Sequence, residues 1–569
     1  MSMLMKNLAL RLQSVSLSVW RSSMHRHLLF AAATVVSLLT MGYYFGTLDQ
    51  GSHIPFLKKF SDPSLYPNDY FIDLRLYHYS FFWFLFIPFY KLGILEITMF
   101  VIYVCVLYLT FWSLWIISKK LFNNPLTSLL TIIVFMFPHI GFSGFPVIEF
   151  SLLNRTFVLP FLLIAINLYL DKRYISAFFL LGILYNLHVV SVNFVLFMFL
   201  FASLIKIKQI RFQNIAIGLI AFIIGSLPVL LWKMKGPPIE LGVNSEWFWI
   251  VSRGVLYHLF FFFGSNFYTS ILTIGGISGI ILFLIARRAL TRLKHTPIIT
   301  PFMFALVTLI VIQAFISYVY PSTIIIQSQI VRAGLFINVF SLLYFTHYVV
   351  SLYESKKINS LHFLLLSLTT VFSVIPAVIL GVWFMRKIIP SQYWIALTSF
   401  IIPLAFITLV VLAYILNIWQ PGIHIYPEKS AYYDVQLWAR AQTNKDDIFI
   451  TPPNKGWFYY IEWRVGSDRS TIVSLFDLAE IAVVPQGLSP WKERFEKLAP
   501  GVIQKFNGDP FANSRQALKA YYSLSANNFK RIARTYKASY LVIEKPHRYE
   551  LPKVFENDGY IVYDLKSSE

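Results

Sequence analysis

The stretch Met41-Gly-Tyr-Tyr-Phe-Gly-Thr-Leu-Asp-Gln-Gly-Ser-His53 determines how the rest of the chain is arranged. It follows an apolar run from about Leu28 to Phe45, which is long enough to span a bilayer as a helix. This is the predicted first exit from a membrane, and it delivers Asp49 and His53 to the far surface. A carboxylate and an imidazole there suit acid–base chemistry on a lipid-borne substrate. The alternative is that Asp49 only caps or hydrates the helix end.

Composition places the chain among polytopic membrane proteins. Of its 569 residues, 57% are hydrophobic and only 13% are charged. No soluble protein of this length could cover so much apolar surface with so few charges. The net charge is +21, but the basic excess flanks apolar runs, where Lys and Arg set membrane orientation. Nucleic-acid binding is therefore not expected, and the single cysteine, Cys105, excludes a disulfide framework.

The predicted fold is a polytopic α-helical membrane domain over residues 1–419, with about twelve or thirteen transmembrane helices, followed by a soluble α/β domain over residues 420–569. No small-residue cleavage site follows the first span, so we expect it to stay in place. The positive-inside rule puts the N-terminus in the cytoplasm and the first loop, residues 47–79, outside. The basic pair Arg386-Lys387 leaves the number of spans open, and with it the side of the C-terminal domain.

The segments that follow place more polar side chains on the same outer side. An aromatic segment, Ser80 to Tyr90, is too short to span and is predicted to lie at the interface. A second outer loop carries Glu149 and Arg155, a tight hairpin carries His188, and a later outer segment ends at Arg332. Almost every ionisable residue of this domain falls at a predicted end of a span.

The C-terminal domain is predicted from alternating strand and helix patterns. The strands are expected at Asp447–Thr451, Ser470–Ser474, Ala538–Ile543 and Tyr560–Asp564. Helices are expected between them, among them Trp491–Leu498 and Ser514–Tyr536. Interleaved strands and helices favour a small layered domain with a partly parallel sheet. It contains no Gly-rich phosphate loop, no His/Cys metal spacing and no nucleophile elbow, so recognition, including binding of a protein partner, is favoured over catalysis.

Together these features resemble the GT-C superfamily of integral-membrane glycosyltransferases, the bacterial branch with aminoarabinose and protein mannosyltransferases. The features are Asp49 just past the first span, the aromatic segment, a span ending in Ser118-Lys-Lys-Leu-Phe122, Glu149 in the second loop and the C-terminal α/β domain. The resemblance implies a multi-pass enzyme of the inner (cytoplasmic) membrane. Such enzymes transfer a sugar from a polyprenyl phosphate to an acceptor on the outer side, with inversion.

The resemblance also implies roles for single residues. It makes Asp49 the expected general base. The position of His53 in the sequence, independently of the resemblance, makes it a candidate catalytic residue that could assist Asp49 or only face solvent. Families of this kind often pair two acids in the first loop, whereas Gln50 follows Asp49 here. A metal-binding pair of acids is therefore in doubt, and whether the protein needs a divalent cation stays open. A lipid phosphate leaving group needs cationic stabilisation in a low-dielectric site, for which Arg155 and Arg332 are the expected residues.

Further substrate contacts are expected from Glu149, which could orient an arginine or bind a sugar hydroxyl, and from His188 as a hydrogen-bond donor. These residues also have structural alternatives. Arg155 and Arg332 could anchor helix ends in lipid headgroups, Glu149 could be no more than a loop carboxylate, and His188 could be a hydrogen-bonded packing residue. Two other functions stay open, namely a non-catalytic accessory subunit and a transporter for a lipid-linked sugar. A transporter would place charges at mid-membrane on broken helices.

Overall fold

The computed structural model describes residues 2–236, 242–254, 267–290, 293, 295–384, 391–415, 422–454 and 461–566. The first two thirds of the chain are helical. The helices there are α1 (Ser2–Arg21), α2 (Ser23–Met41), α3 (Asp49–Ser61), α4 (Tyr70–Asp73), α5 (Ile87–Lys91), α6 (Leu95–Phe122), α7 (Pro125–Phe135), α8 (Asn154–Leu170), α9 (Tyr174–Tyr185), α10 (Val189–Ile205), α11 (Phe212–Met234), α12 (Ser245–Gly254), α13 (Phe267–Ala289), α14 (Thr296–Tyr318), α15 (Thr323–Gln327), α16 (Gly334–Glu354), α17 (Ser360–Thr369), α18 (Val374–Phe384) and α19 (Ser391–Ile415). Short 3-10 helices lie at Leu74–Tyr77, Trp83–Phe86 and Ile330–Ala333.

Six segments within the described ranges are helical, long and apolar enough to cross a membrane, as expected of a polytopic membrane protein. They are Ser23–Met41, Leu95–Phe122, Phe212–Met234, Thr269–Ala289, Pro297–Tyr318 and Thr323–Glu354. Several shorter apolar helices, including α7 to α10, pack between them. Arg386 and Lys387, on which the predicted number of spans depends, lie outside the described residues.

The first exit differs in detail from the prediction. Helix α2 ends at Met41, and Gly42 follows with a φ of +79°. The next residues form a short strand, β1 (Tyr43–Tyr44), which pairs in parallel with β2 (Ile423–His424). The apolar run therefore leaves the helix before Phe45, because backbone pairing with a segment far along the chain replaces the last helical turn.

The C-terminal region forms the mixed sheet that the sequence predicts. Its strands are β3 (Ile448–Ile450), β4 (Ser470–Thr471), β5 (Ala538–Glu544), β6 (Lys553–Glu556) and β7 (Tyr560–Asp564), in the order β4-β3-β5-β7-β6. The β3 pairings are parallel, and the pairings of β7 are antiparallel. The helices are α20 (Ala431–Gln442), α21 (Trp463–Ser467), α22 (Leu478–Ile481), α23 (Leu488–Leu498), α24 (Pro510–Tyr522) and α25 (Ala526–Tyr536), with 3-10 turns at Leu475–Asp477, Pro485–Gly487 and Ile503–Lys505.

This C-terminal region packs directly on the first loop through buried ion pairs. Lys58, on α3, donates to Asp468 over 2.6 Å. Arg464, which is fully buried, donates through Nε to Asp69 over 2.7 Å, and it also contacts Glu462 and Asp477. An arginine without exposed surface is stable only when carboxylates surround it. The first loop and the C-terminal region therefore form one packed unit.

Candidate functional site

The start of helix α3 is held in place by Gln50. This side chain is fully buried; its Oε1 accepts a hydrogen bond from the backbone N–H of Gly46 over 2.9 Å. Its Nε2 donates to the backbone carbonyl of Leu152 over 2.8 Å. Gln50 thus ties the first outer loop to the second. The sequence suggested that Gln50 stands where a second acid is missing, and the structure gives this residue a positioning contact.

The second outer loop supplies Glu149, which is linked to Asp49 through Arg155. The guanidinium of Arg155, at the start of α8, makes a two-pronged contact with Glu149: Nε to Oε1 over 2.5 Å and Nη2 to Oε2 over 2.7 Å. Its Nη1 donates to Oδ2 of Asp49. The backbone carbonyl of Glu149 accepts from the hydroxyl of Tyr103 over 2.6 Å. Two carboxylates from two loops therefore share one arginine.

Asp49 is the more accessible of the two acids. Its side chain is 29% exposed, against 9% for Glu149. Glu149 uses both oxygens on Arg155, whereas Asp49 uses one. Burial alone would raise the pKa of Asp49, but the positive charges of Arg155 and Arg332 outweigh it and hold that pKa well below its usual range. Asp49 is therefore ionised at neutral pH and has an oxygen available to a further ligand.

Arg332 and Arg155 both lie against the aromatic ring of Phe145. The ring centre of Phe145 is 4.7 Å from the Arg155 guanidinium carbon and 4.2 Å from that of Arg332. Such distances give favourable cation–π contacts. Among the described residues, the buried Nε of Arg332 has no hydrogen-bond partner, and Arg332 makes no ion pair. It is a cation that keeps most of its hydrogen-bonding capacity for a ligand.

A small cavity joins these groups. Its volume is about 30 Å³, and its polar lining comes from Ser143, Glu149, Arg155, Thr156, Ser191 and Arg332, with Phe145 beside them. A space of this size holds one or two water molecules. Glu149, Arg155 and Arg332 thus face one cavity, and Asp49 adjoins it through its contact with Arg155.

His188 reaches the same cavity indirectly. It caps the N-terminus of α10, with its Nδ1 accepting from the backbone N–H of Ser191 over 3.2 Å, and it lies 2.8 Å from the hydroxyl of Ser191, a cavity residue. Burial, followed by the nearby charges of Arg332 and Arg155, lowers the pKa of His188 well below its ordinary value. His188 is therefore neutral at physiological pH, and it has a structural role as the cap of α10.

His53 belongs to a neighbouring cluster. It follows Asp49 by one turn of α3 and stacks on Trp83 with ring centres 5.0 Å apart. Its Nε2 lies 3.6 Å from Oε1 of Glu480, whose Oε2 lies 2.7 Å from Nε2 of His78. No hydrogen bond joins His53 to Asp49 among the described residues. The expected acid–imidazole pair is therefore replaced by an imidazole that faces the C-terminal region.

Sequence reasoning did not single out Gln50, Phe145, His78 or Glu480 as site residues. Gln50 carries no local signal, because its partner is the backbone carbonyl of Leu152, about a hundred positions away. His78 and Glu480 come from separate segments without a metal-binding spacing. The expected residues Asp49, Glu149, Arg155 and Arg332 do come together, and this clustering is the geometric basis for a functional site.

Comparison with known proteins adds no name to this geometry. No protein-family model matches the chain, and no curated protein matches it.

Proposed function

We propose that this chain is a glycosyltransferase of GT-C type, with about twelve or thirteen spans, in the inner (cytoplasmic) membrane. It transfers a sugar from a polyprenyl phosphate to an acceptor at the outer face, with the N-terminus in the cytoplasm. The observation that carries the proposal is that Glu149, Arg155 and Arg332 line one cavity and that Asp49 adjoins it through its ion pair with Arg155. The C-terminal region packs on the Asp49 loop, which supports an extracytoplasmic position for it and contact with acceptor or a protein partner.

Asp49 is the proposed base of the transfer. The acceptor O–H or N–H gives its proton to Asp49, the acceptor atom forms a bond to the anomeric carbon, and the bond from that carbon to the phosphate oxygen breaks. A single base and a single displacement invert the anomeric carbon. Asp49 suits this role better than Glu149 because it is more exposed and has one oxygen outside the contact with Arg155.

Arg332 is the proposed partner of the leaving phosphate. Its guanidinium is buried beside Phe145 and Arg155, where a charge acts in a low dielectric and stabilises the phosphate most strongly. The described cavity is too small for a phosphate and a sugar, so donor binding has to widen it. A donor phosphate that accepts a hydrogen bond from Nη1 of Arg155 in place of Asp49 would widen the cavity. Loss of that contact would also make Asp49 a stronger base.

The other two functions have less support. Within the described residues, the charges of the site lie at helix ends and in loops, whereas a transporter would place them at mid-membrane on broken helices. An accessory subunit that has lost its chemistry would not need to keep an arginine without an ion pair beside two carboxyl groups. The proposal therefore assigns proton transfer to Asp49, phosphate binding to Arg332 and positioning to Glu149 and Arg155, with His188 acting through Ser191.

The test is binding of polyprenyl phosphate to the purified full chain in nanodiscs. Wild type is compared with Arg332→Ala and with Arg173→Ala, whose exposed arginine lies just beyond the opposite end of α8 from Arg155. We expect saturable binding that weakens about tenfold or more in Arg332→Ala, because a charge-assisted contact contributes about 1.5–3 kcal/mol. Arg173→Ala should bind as the wild type does.

The catalytic assignment has its own test once a donor sugar supports transfer. Asp49→Asn preserves shape and removes the base, so transfer should fall by about a hundredfold or more while donor binding persists. Full transfer by Asp49→Asn would show that Asp49 is not the base. A wild type that binds no polyprenyl phosphate would contradict the proposal and favour the accessory subunit.

A further inference from the structure

Three side chains with metal-binding atoms meet where the first loop contacts the C-terminal region. His53 comes from α3, His78 follows the 3-10 helix Leu74–Tyr77, and Glu480 belongs to α22. One ligand atom from each lies within 4.8 Å of the others. Two imidazoles and one carboxylate are a common protein ligand set for zinc, with the fourth position left to water.

The distances fit this coordination after a small adjustment. Zinc ligands lie about 2.0–2.2 Å from the ion, so neighbouring ligand atoms of a tetrahedral site are separated by about 3.4 Å. The observed separations are 3.6 Å between Oε1 of Glu480 and Nε2 of His53 and 2.7 Å between Oε2 of Glu480 and Nε2 of His78. They lie on either side of that value, with one carboxylate oxygen toward each imidazole. The alternative is a triad without metal, in which Nε2 of His78 donates a hydrogen bond to Glu480, and zinc binding distinguishes the two.

The surroundings favour a transition metal over magnesium or calcium. Trp83 stacks on His53, and Phe56 contacts both imidazoles, with ring centres 6.0 and 5.3 Å apart. Glu480 is only 5% exposed. Magnesium and calcium prefer oxygen ligands and hydration, whereas imidazole nitrogen in an aromatic pocket suits zinc.

We propose that His53, His78 and Glu480 bind one Zn²⁺ ion that fastens the first outer loop to the C-terminal region. Two of the ligands come from the first loop and the third from α22, so the ion closes a link between distant segments. Because His53 lies one turn beyond Asp49 on α3, the ion also fixes the helix that presents Asp49 to the cavity. This inference does not depend on the proposed glycosyl transfer.

The test is zinc binding by the full chain, stripped with a chelator and purified in nanodiscs. Wild type should take up one zinc per chain, and X-ray absorption should show two imidazole nitrogens with oxygen in the first shell. Added zinc, and not magnesium, should raise the melting temperature and protect the first loop from proteolysis. His53→Ala, His78→Ala and Glu480→Gln should each weaken zinc binding by about 100-fold or more, because each removes a direct ligand.

The matched control is His547→Ala, since His547 is an exposed histidine of the same region that stacks on Tyr522. It should bind zinc as the wild type does. Wild type that binds no zinc, or Glu480→Gln that binds it unchanged, would overturn the proposal. If a histidine variant does not fold, the absorption spectrum of the wild type decides, because a first shell without two imidazoles would also overturn it.

Discussion

Replacing Arg464 by methionine should release the C-terminal region from the first loop. Arg464 is fully buried among Asp69, Glu462 and Asp477, with its closest contact 2.7 Å long. Methionine fills much the same volume but leaves three buried acids without their cation. Removing one partner of a buried ion pair costs about 3–5 kcal/mol. For a unit of about 150 residues, this corresponds to a fall in melting temperature of about 10 °C.

The assay is thermal unfolding of the full chain in nanodiscs, followed by intrinsic tryptophan fluorescence. Trp463 adjoins Arg464 and is buried, so it reports on this interface. The matched control is Arg440→Met, because Arg440 contacts Asp468 over 2.9 Å but is 52% exposed. The exposed guanidinium is screened by solvent, and the buried Asp468 keeps its contact with Lys58 in this variant. The control should therefore lose at most about 1 kcal/mol and shift the melting temperature little.

Acid should partly rescue Arg464→Met. Burial raises the pKa of Glu462 to about 7 even beside Arg464, and it also raises the pKa of Asp477. Without the arginine these acids should protonate more readily, so the deficit against wild type should shrink from pH 8 to pH 5. Equal losses in Arg464→Met and Arg440→Met, or a deficit that does not change with pH, would refute the electrostatic reasoning.

Two further predictions concern the wild-type pH dependence and the first exit. The pKa of Glu462 is about 7 in the folded chain and ordinarily 4.5. The free energy of unfolding should therefore fall by up to about 3 kcal/mol as pH rises from 4.5 to 7. Glu462→Gln should flatten this slope in thermal unfolding, and an unchanged slope would contradict the assignment to Glu462. Gly42→Ala would place a Cβ 2.6 Å from the carbonyl oxygen of Gly422 at a φ of +79°, whereas Gly93→Ala has a similar φ of +71° and open space. Gly42→Ala should therefore lower the melting temperature more than Gly93→Ala, and equal effects would show that the contact with Gly422 is unimportant.

The sequence predicts elements well where local pattern and burial agree. The strand Tyr560–Asp564 has the predicted bounds because its first four residues, Tyr, Ile, Val and Tyr, favour strands and are buried. The predicted helix over Ser514–Tyr536 is instead two helices, since Ser525 caps a new one with Asn528. Strand β6 was not predicted, because Lys553–Glu556 is mostly exposed at a sheet edge and lacks an apolar pattern.

The site was predictable in its residues and not in its contacts. The positive-inside rule predicts that Asp49, Glu149, Arg155 and Arg332 lie on the same side of the membrane, because topology is a property of whole segments. Which carboxylate meets which arginine depends on loop packing, which no local pattern encodes. For the same reason the contact between Glu480 and His53 could not be predicted, since those residues lie far apart in the sequence.

The two-residue pairing of β1 with β2 has a consequence for how the protein is made. Tyr43 emerges from the ribosome early, but its partner Ile423 is synthesised only after the apolar segments between them. At about 5–20 residues per second, the Asp49 loop waits for roughly twenty seconds or more before its backbone partner exists. A nascent chain that stops short of β2 therefore carries every residue that lines the cavity but lacks the strand that pairs with Tyr43 and Tyr44.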